Sequence, residues 1–200
     1  GASIGEAHGI NSVADDDSTT VAVIGDSTFM HSGITGVVNI VYNAGNSAVC
    51  VVDNGTTAMT GGQEHPATGK TLSGKPAGKV TIEDVCRGAG VETVTVVDPQ
   101  DLEQTQEALR QAVASNEPAV VIARRQCVLM ARQWGEPFVI DEDVCVQCGQ
   151  CLQLGCPAIG AEGDQPIIDQ TLCSGCTMCA QICPVDAISG EKKLPHVIDS

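Results

Sequence analysis

Aromatic side chains are nearly absent from the sequence, which contains two Phe, one Tyr and one Trp among 200 residues. A packed core must therefore be built mainly from Val, Ile, Leu and Ala. Hydrophobic residues nevertheless make up 42% of the chain, which is too many for a disordered protein. The length predicts one globular domain, or a medium domain joined to a small one.

Basic residues are also few, because ten Lys and Arg face 25 Asp and Glu and the formal net charge is −15. This balance argues against nucleic acid and against anionic membrane surfaces as partners, since both attract basic proteins. No apolar run approaches the roughly 18 residues of a membrane-spanning helix, so we expect no membrane insertion. The opening residues, Gly1–Gly5, contain neither an initiator Met nor a signal-peptide start, which predicts a longer protein.

Short apolar runs alternate with helix-like stretches from residue 1 to about residue 125. Four runs have the pattern of buried parallel strands: 20–25, 48–53, 94–97 and 119–123. A helix is predicted over Pro99–Ser115, and Thr81 is expected to cap another helix, with Asp84 three residues later. This alternation predicts an α/β domain with a parallel sheet.

Cysteine is the most unusual part of the composition, because eight of the eleven Cys lie between Cys145 and Cys183. The spacing Cys-x2-Cys-x2-Cys begins at residue 145 and again at residue 173, and a Cys-Pro pair follows each triplet. Such a repeat in a short segment predicts pseudo-two-fold symmetry. The regular spacing argues against a disulfide framework, and the triplets argue against structural zinc, which normally uses pairs of Cys.

The repeat matches the cysteine run of bacterial [4Fe–4S] proteins, in which the fourth Cys of each run binds the other cluster. The second triplet matches that run residue for residue, and the first has one extra residue before its last Cys. Residues 141–200 therefore resemble a bacterial-type 2[4Fe–4S] ferredoxin domain of small α+β fold, after a linker at 126–140. Crossed ligation predicts two clusters, held by Cys145, Cys148, Cys151 and Cys183, and by Cys173, Cys176, Cys179 and Cys156.

Three more cysteines, Cys50, Cys86 and Cys127, lie outside the repeat. Cys50 and Cys86 fall on apolar faces of predicted elements. We therefore expect both to be small buried hydrophobic residues rather than ligands.

Polar residues follow the first two predicted strands. Gly25-Asp26-Ser27 ends the first strand and Asp53-Asn54 ends the second. Because parallel strands open on one crevice at their carboxyl ends, these side chains are expected to face the same ligand. Carboxylate and amide oxygens suit Mg²⁺, and a glycine at position 25 would let the backbone approach a diphosphate.

The runs Gly25–Gly36 (GDSTFMHSGITG) and Asp53–Pro66 (DNGTTAMTGGQEHP), with the cysteine repeat behind them, resemble the indolepyruvate branch of the 2-oxoacid:ferredoxin oxidoreductase family. The resemblance covers nearly the whole chain. It implies that residues 1–125 bind the diphosphate side of thiamine diphosphate in a parallel-sheet domain that is incomplete at its N-terminus.

The same resemblance implies particular site residues. Mg²⁺ would be bound by the Asp26 carboxylate, the Asn54 amide and the Thr56 carbonyl, and Gly25 and Ser27 would line the diphosphate. The candidate neighbours of the thiazolium ring or the substrate are His31, Gln63 and His65. Of these three, His31 is the candidate catalytic residue, and hydrogen bonding within loops is the alternative role for all of them.

The resemblance further implies oxidative decarboxylation of an aryl 2-oxoacid, with coenzyme A as acyl acceptor and clusters that pass electrons to ferredoxin in an anaerobic cytoplasm. The sequence does not place the contacts to coenzyme A, because suitable charge is offered only by Arg124, Arg125 and a few lysines. The implied partners are the rest of the α subunit or a split-gene product, and a second subunit. Two alternatives stay open: the same chemistry on pyruvate, a branched-chain oxoacid or phenylglyoxylate, and a non-catalytic electron-transfer protein.

Overall fold

The computed structural model describes residues 1–14, 19–131 and 135–190. Two compact units divide the chain, one spanning Gly1–Met130 and the other beginning at Ala131. This boundary falls inside the predicted linker at 126–140. Its first residues belong to the first unit, and Val139–Ile140 forms a strand of the second because it pairs with Ile188–Ser189.

A four-stranded sheet forms the centre of the first unit. Its strands are β1 (Val21–Gly25), β2 (Ala48–Asp53), β3 (Thr93–Val97) and β4 (Ala119–Arg124), in the spatial order β1-β2-β4-β3. Each strand runs parallel to its neighbours, so the predicted parallel α/β fold is confirmed. The strand ends lie within one residue of the predicted positions.

Helices connect and cover these strands. They are α1 (Ala2–Val13), α2 (Asp26–Thr28), a π-helical segment (Phe29–Gly33), α3 (Ile34–Tyr42), α4 (Ile82–Gly88), α5 (Leu102–Ala114) and α6 (Val128–Ala131). The predicted cap of α4 is confirmed, since Thr81 Oγ1 accepts a hydrogen bond from the Asp84 N–H at 3.1 Å. Helix α5 begins three residues later than predicted, because Asp101 caps it by accepting from the Gln104 N–H at 3.0 Å.

The core of the first unit lies on both faces of the sheet. One face buries Ile24, Val51 and Ile122 against residues of the covering helices, among them Ile4, Phe29, Val37, Ile40, Ile82 and Cys86. The other face packs Val97 and Val121 against Ala108 and Ala112 of α5. Apart from Phe29, these side chains are small or aliphatic, as the composition predicts.

The second unit is small and of α+β type. It contains β5 (Val139–Ile140), β6 (Ile159–Glu162), β7 (Gln165–Ile168), α7 (Met178–Gln181) and β8 (Ile188–Ser189). Two antiparallel pairs, β5 with β8 and β6 with β7, frame a core that includes Phe138, Cys151, Cys179 and Ile188. Throughout the described part of the chain, no helix has the length and apolar character needed to cross a bilayer.

Candidate functional site

The carboxyl ends of β1 and β2 bring Asp26 to the loop after β2. Gly25 lies opposite Val52 in the sheet, so the next residues of both strands emerge side by side. Asp26 is 3% exposed, and its Oδ2 accepts a hydrogen bond from the Gly55 N–H at 2.9 Å. The structure thus brings together the three residues predicted to bind Mg²⁺, since Asn54 and Thr56 flank Gly55.

Hydrogen bonds hold the loop after β2 in place. Asn54 Oδ1 accepts from the Thr56 N–H at 3.1 Å, and Thr57 Oγ1 donates to Ser27 Oγ at 2.8 Å. A Cβ added to Gly25 would meet nothing within 4 Å among the residues the structure describes, so the backbone there is open to a ligand. The donor set of carboxylate, amide and backbone carbonyl oxygens fits a hard cation such as Mg²⁺.

His65 contacts Asp26 directly. The side chain is fully buried, and its Nε2 lies 3.2 Å from Asp26 Oδ2. Its Nδ1 accepts a hydrogen bond from the Ala67 N–H at 3.4 Å. A neutral imidazole that accepts at Nδ1 carries its proton on Nε2, so His65 donates to the Asp26 carboxylate.

The two carboxylates at the strand ends have opposite pKa shifts. Burial raises the pKa of Asp26, but hydrogen bonds from His65 and the Ser27 N–H outweigh this effect and hold the pKa below its ordinary value. Burial and the negative charge of Asp26 raise the pKa of Asp53, although Arg124 opposes the rise. Asp26 is therefore the carboxylate that is better stabilised in the charged form, which is the form that binds a cation.

The other two candidate residues from the sequence are placed differently. His31 is exposed and lies in the π-helical segment Phe29–Gly33. Such segments occur often at functional sites, but His31 is not buried against Asp26 as His65 is. Gln63 is exposed too, and its amide turns back to donate to the Thr60 carbonyl oxygen at 2.5 Å. Of the three side chains, only His65 is brought against the carboxylate of Asp26.

Sequence reasoning missed a buried ion-pair network beside this loop. Arg124, the last residue of β4, donates from Nε to Asp53 Oδ2 at 2.7 Å and from both terminal nitrogens to the Glu83 carboxylate, each at 2.7 Å. Arg125 pairs with Asp98. The charge of these two arginines would suit coenzyme A, but carboxylates of the same unit pair with both side chains. The one available signal was an arginine at the end of an otherwise apolar strand.

The eight cysteines of the repeat line two cavities of the second unit. Cys145, Cys148, Cys151 and Cys183, here called the first quartet, line one cavity. Cys156, Cys173, Cys176 and Cys179, the second quartet, line the other. These are the two sets that crossed ligation predicts, and all eight thiols are free.

The backbone repeats itself around the two quartets. Gln147 and Gly175 occupy equivalent positions of the repeat and have φ angles of 54° and 68°. Gly149 and Thr177 are the next equivalent pair, with φ angles of 71° and 72°. Left-handed residues at matching positions turn the backbone N–H groups of a tight loop inward, as anion-binding loops and iron–sulfur sites require. The predicted pseudo-symmetry thus extends to the backbone conformation.

Each quartet also receives a backbone hydrogen bond on sulfur. The Ala187 N–H donates to Cys183 Sγ at 3.3 Å, and the Phe138 N–H donates to Cys173 Sγ at 3.4 Å. Burial raises the pKa of Cys179 to about 11, with the neighbouring Cys176 and Cys173 adding to the rise. Thiols in such surroundings ionise when a bound metal supplies positive charge, so the donor chemistry fits an iron–sulfur cluster.

Comparison with known proteins agrees with this division of the chain. Residues 1–123 match the family described as thiamine pyrophosphate enzyme, C-terminal TPP binding domain, and residues 166–189 match the 4Fe-4S binding domain. The indolepyruvate oxidoreductase subunit IorA of Methanothermobacter marburgensis is 42% identical over 195 residues, which cover 96% of this chain and 31% of that protein. The same subunit of Archaeoglobus fulgidus is 41% identical over 199 residues, covering 96% of this chain and 32% of that protein.

The cysteine-rich segment has relatives of its own. The pyruvate synthase subunit PorD of Methanothermobacter marburgensis is 41% identical over 58 residues, which cover 29% of this chain and 68% of that protein. The chain spans about a third of the length of the IorA subunits that it matches. These similarities confirm the resemblance that the runs Gly25–Gly36 and Asp53–Pro66 indicate.

Proposed function

We propose that this chain, which belongs to the thiamine pyrophosphate enzyme family through its C-terminal TPP-binding domain, is the cofactor-binding and cluster-binding part of a 2-oxoacid:ferredoxin oxidoreductase. The observation that carries the proposal is the 2.9 Å hydrogen bond between Asp26 and Gly55, which assembles an oxygen-ligand loop in a chain that also holds two Cys quartets. Similarity to the IorA subunits favours an aryl 2-oxoacid, indolepyruvate, as the substrate, with coenzyme A as the acyl acceptor.

Each candidate site residue of the first unit has a proposed role. Asp26, Asn54 and Thr56 bind Mg²⁺ through oxygen, and the open backbone at Gly25 and the Ser27 hydroxyl border the diphosphate. Thiamine diphosphate, when bound, supplies the electron sink for decarboxylation. His65 holds its Nε2 proton on the Asp26 carboxylate and so fixes the orientation of that ligand. His31 remains the candidate catalytic residue, and Gln63 a candidate neighbour of the substrate.

The second unit is proposed to hold two [4Fe–4S] clusters, one on the first quartet and one on the second. A bound cluster accepts and releases single electrons, so this unit would connect the thiamine site to an external ferredoxin. The N–H groups of Ala187 and Phe138, which donate to the sulfur atoms of Cys183 and Cys173, would stabilise the thiolates that bind the clusters.

The activity requires more protein than this chain. Because the chain spans about a third of the IorA subunits, we propose that the rest of the α subunit, or a split-gene product, and a second subunit complete the enzyme. Ferredoxin, coenzyme A and the 2-oxoacid are the further partners. We expect this complex to work in an anaerobic cytoplasm.

A second substrate remains a candidate on one observation. The cysteine-rich segment is as similar to the pyruvate synthase subunit PorD as the whole chain is to the IorA subunits, at 41% identity. Similarity of the cluster unit therefore does not favour indolepyruvate over pyruvate, and the same chemistry on pyruvate, a branched-chain oxoacid or phenylglyoxylate is the alternative. A non-catalytic electron carrier is the alternative from a different class.

The test uses the native complex, purified without oxygen. Bound thiamine diphosphate and iron are quantified, and the visible absorbance of the clusters is followed after addition of coenzyme A with indolepyruvate, pyruvate, 2-oxoisovalerate or phenylglyoxylate. We expect fastest bleaching with indolepyruvate. The matched variant Asp26→Ala should retain its iron and its bleaching by dithionite but lose bleaching by 2-oxoacids. Iron without thiamine, and no bleaching by any 2-oxoacid, would leave only the electron-carrier alternative.

A further inference from the structure

The side chain of Arg124 joins three elements of the first unit. It lies at the end of β4, is 6% exposed, and contacts Asp53 at the end of β2 and Glu83 in α4. Both terminal nitrogens bind the two oxygens of Glu83, which leaves Nε to bind Asp53. This geometry uses the planar fork of a guanidinium, which a lysine ammonium cannot reproduce.

Asp53 connects this ion pair to the proposed Mg²⁺ loop. The Gly55 N–H is shared by two carboxylates, at 2.9 Å from Asp26 Oδ2 and 3.1 Å from Asp53 Oδ1. Arg124 thus fixes the Asp53 carboxylate. Asp53 in turn helps to fix the Asp26 carboxylate, because both accept from the Gly55 N–H. Asn54, a proposed Mg²⁺ ligand, lies in the chain between Asp53 and Gly55, which this hydrogen bond joins.

The backbone of the loop has separate support. The Arg125 N–H donates to the Asp53 carbonyl oxygen at 2.9 Å, and the Cys127 N–H donates to the Asn54 carbonyl oxygen at 3.0 Å. These bonds continue the pairing of β4 with β2 and do not involve the Arg124 side chain. Changing that side chain should therefore release the Asp53 carboxylate without unpairing the strands.

We propose that Arg124 is a positioning residue for the cation-binding loop, acting through Asp53 on the spacing between Asp26 and the ligands at 54 and 56. The role rests on the proposed function, because the ligands are those of the proposed Mg²⁺ site. Arg124 itself binds neither the cation nor the cofactor, since its nitrogens are engaged by Asp53 and Glu83. It also supplies the countercharge of Asp53, which leaves Asp26 as the carboxylate proposed to bind the cation.

The test is a Mg²⁺ titration of thiamine diphosphate binding, measured by equilibrium dialysis on the whole complex at a fixed cofactor concentration. Partners that orient metal ligands typically contribute about 10- to 100-fold to metal affinity, so Arg124→Met should raise the half-saturating Mg²⁺ concentration by at least about tenfold. Arg124→Lys, which keeps the charge and loses the fork, should recover part of the loss. Arg125→Met is the matched control, because its side chain pairs with Asp98 instead, and it should leave the half-saturation point unchanged.

Melting temperatures, measured on the same samples, separate positioning from a purely structural ion pair. A lower melting temperature of Arg124→Met with an unchanged half-saturation point would overturn the positioning role. If Arg124→Met does not fold, Asp53→Asn replaces it, because it removes the carboxylate that accepts from Arg124 Nε. An unchanged half-saturation point in that variant would overturn the role equally. Failure of the wild-type complex to bind thiamine diphosphate at any Mg²⁺ concentration would instead overturn the proposed function itself.

Discussion

His65 donates a hydrogen bond from Nε2 to Asp26 Oδ2 across 3.2 Å, in a contact where both residues are almost fully buried. The Asp26 carboxylate also accepts from the N–H groups of Ser27 and Gly55, at 2.7 and 2.9 Å. Three donors therefore orient the carboxylate without help from a cation. Such pre-orientation lowers the entropic cost of assembling a metal site, because the ligand does not have to be ordered on binding.

We expect His65→Ala to weaken Mg²⁺-dependent binding of thiamine diphosphate by about tenfold, because it removes one of the donors that orient Asp26. It should also lower the free energy of unfolding by roughly 1–3 kcal/mol, since a buried carboxylate oxygen loses one of its two donors. Isothermal titration calorimetry and thermal unfolding measure the two effects. The control is His31→Ala at an exposed position, which should change stability by less than about 0.5 kcal/mol.

The same control variant tests the catalytic role of His31. If His31 acts on the substrate, His31→Ala will lower kcat while cofactor binding stays normal. An unchanged kcat would remove His31 from the list of catalytic candidates.

The ion pair of Glu83 with Arg124 should make the stability of the first unit depend on pH. Hydrogen bonding to Arg124 holds the pKa of Glu83 below its ordinary value of 4.5, despite the opposing effect of burial. Because the folded-state pKa is depressed, the stabilisation is fully present above pH 4.5 and is lost as the pH falls toward the folded-state pKa. Wild type should therefore melt above Glu83→Gln at pH 7, and the difference should shrink in acid. A difference that grows as the pH falls would contradict this assignment.

Crossed ligation predicts which cysteines bind the same cluster. Cys183→Ser should perturb the same cluster as Cys148→Ser, although the two residues are far apart in the sequence, because both line the cavity of the first quartet. Cys156→Ser should instead match Cys176→Ser. Electron paramagnetic resonance of the reduced complex can compare the signals, and each variant should retain roughly half of the iron. If Cys183→Ser altered the signal that Cys176→Ser alters, ligation would follow chain order instead.

Two glycines at left-handed positions should respond differently to alanine. Gly149 has a φ of 71° and open surroundings, because an added Cβ would come no closer than 3.9 Å to Leu152 Cδ1. At Gly175, with a φ of 68°, the same atom would lie 2.7 Å from the Glu136 carbonyl oxygen. Gly149→Ala should cost only the left-handed strain, about 1–2 kcal/mol.

Gly175→Ala adds a backbone clash to that strain, so we expect it to lose stability well beyond the loss in Gly149→Ala and to lose iron from the second quartet. Thermal unfolding and iron analysis of the two variants, prepared in parallel, make the comparison. Equal losses in both variants would mean that the segment around Glu136 moves aside without cost.

Patterns that are local in the sequence predicted the four strands of the sheet, because each contains a short run rich in Val, Ile or Ala. The cysteine spacings, with crossed ligation, predicted the two groups of Cys that line the cavities. Helix α1 was not predicted, because Gly5 and Gly9 weaken its helix propensity. It is held by packing, with Ile4 buried so closely on α3 that a Cβ at Gly36 would lie 2.8 Å from Ile4 Cγ2.

The ion pairs of Arg124 could not be predicted from the sequence, because they also depend on contacts between distant parts of the chain. Asp53 and Arg124 are 71 residues apart in the chain, and Glu83 is 41 residues from Arg124. Their meeting depends on β4 lying next to β2, an arrangement that apolar runs alone do not specify. The same holds for His65, whose contact with Asp26 depends on how the loop after β2 returns to the end of β1.

Strand β4 is the last strand of its sheet in the sequence, yet it lies between β2 and β3. Strands β2 and β3 must therefore leave a space that residues 119–124 fill. Contacts between residues so far apart in the sequence form slowly during folding. During synthesis, the loop at 53–56 has to wait for about 70 more residues to leave the ribosome before Arg124 and the Cys127 N–H can secure it. Acquisition of thiamine diphosphate would then report that the sheet is complete, and newly made chains would be protected by the cofactor only after β4 has joined the sheet.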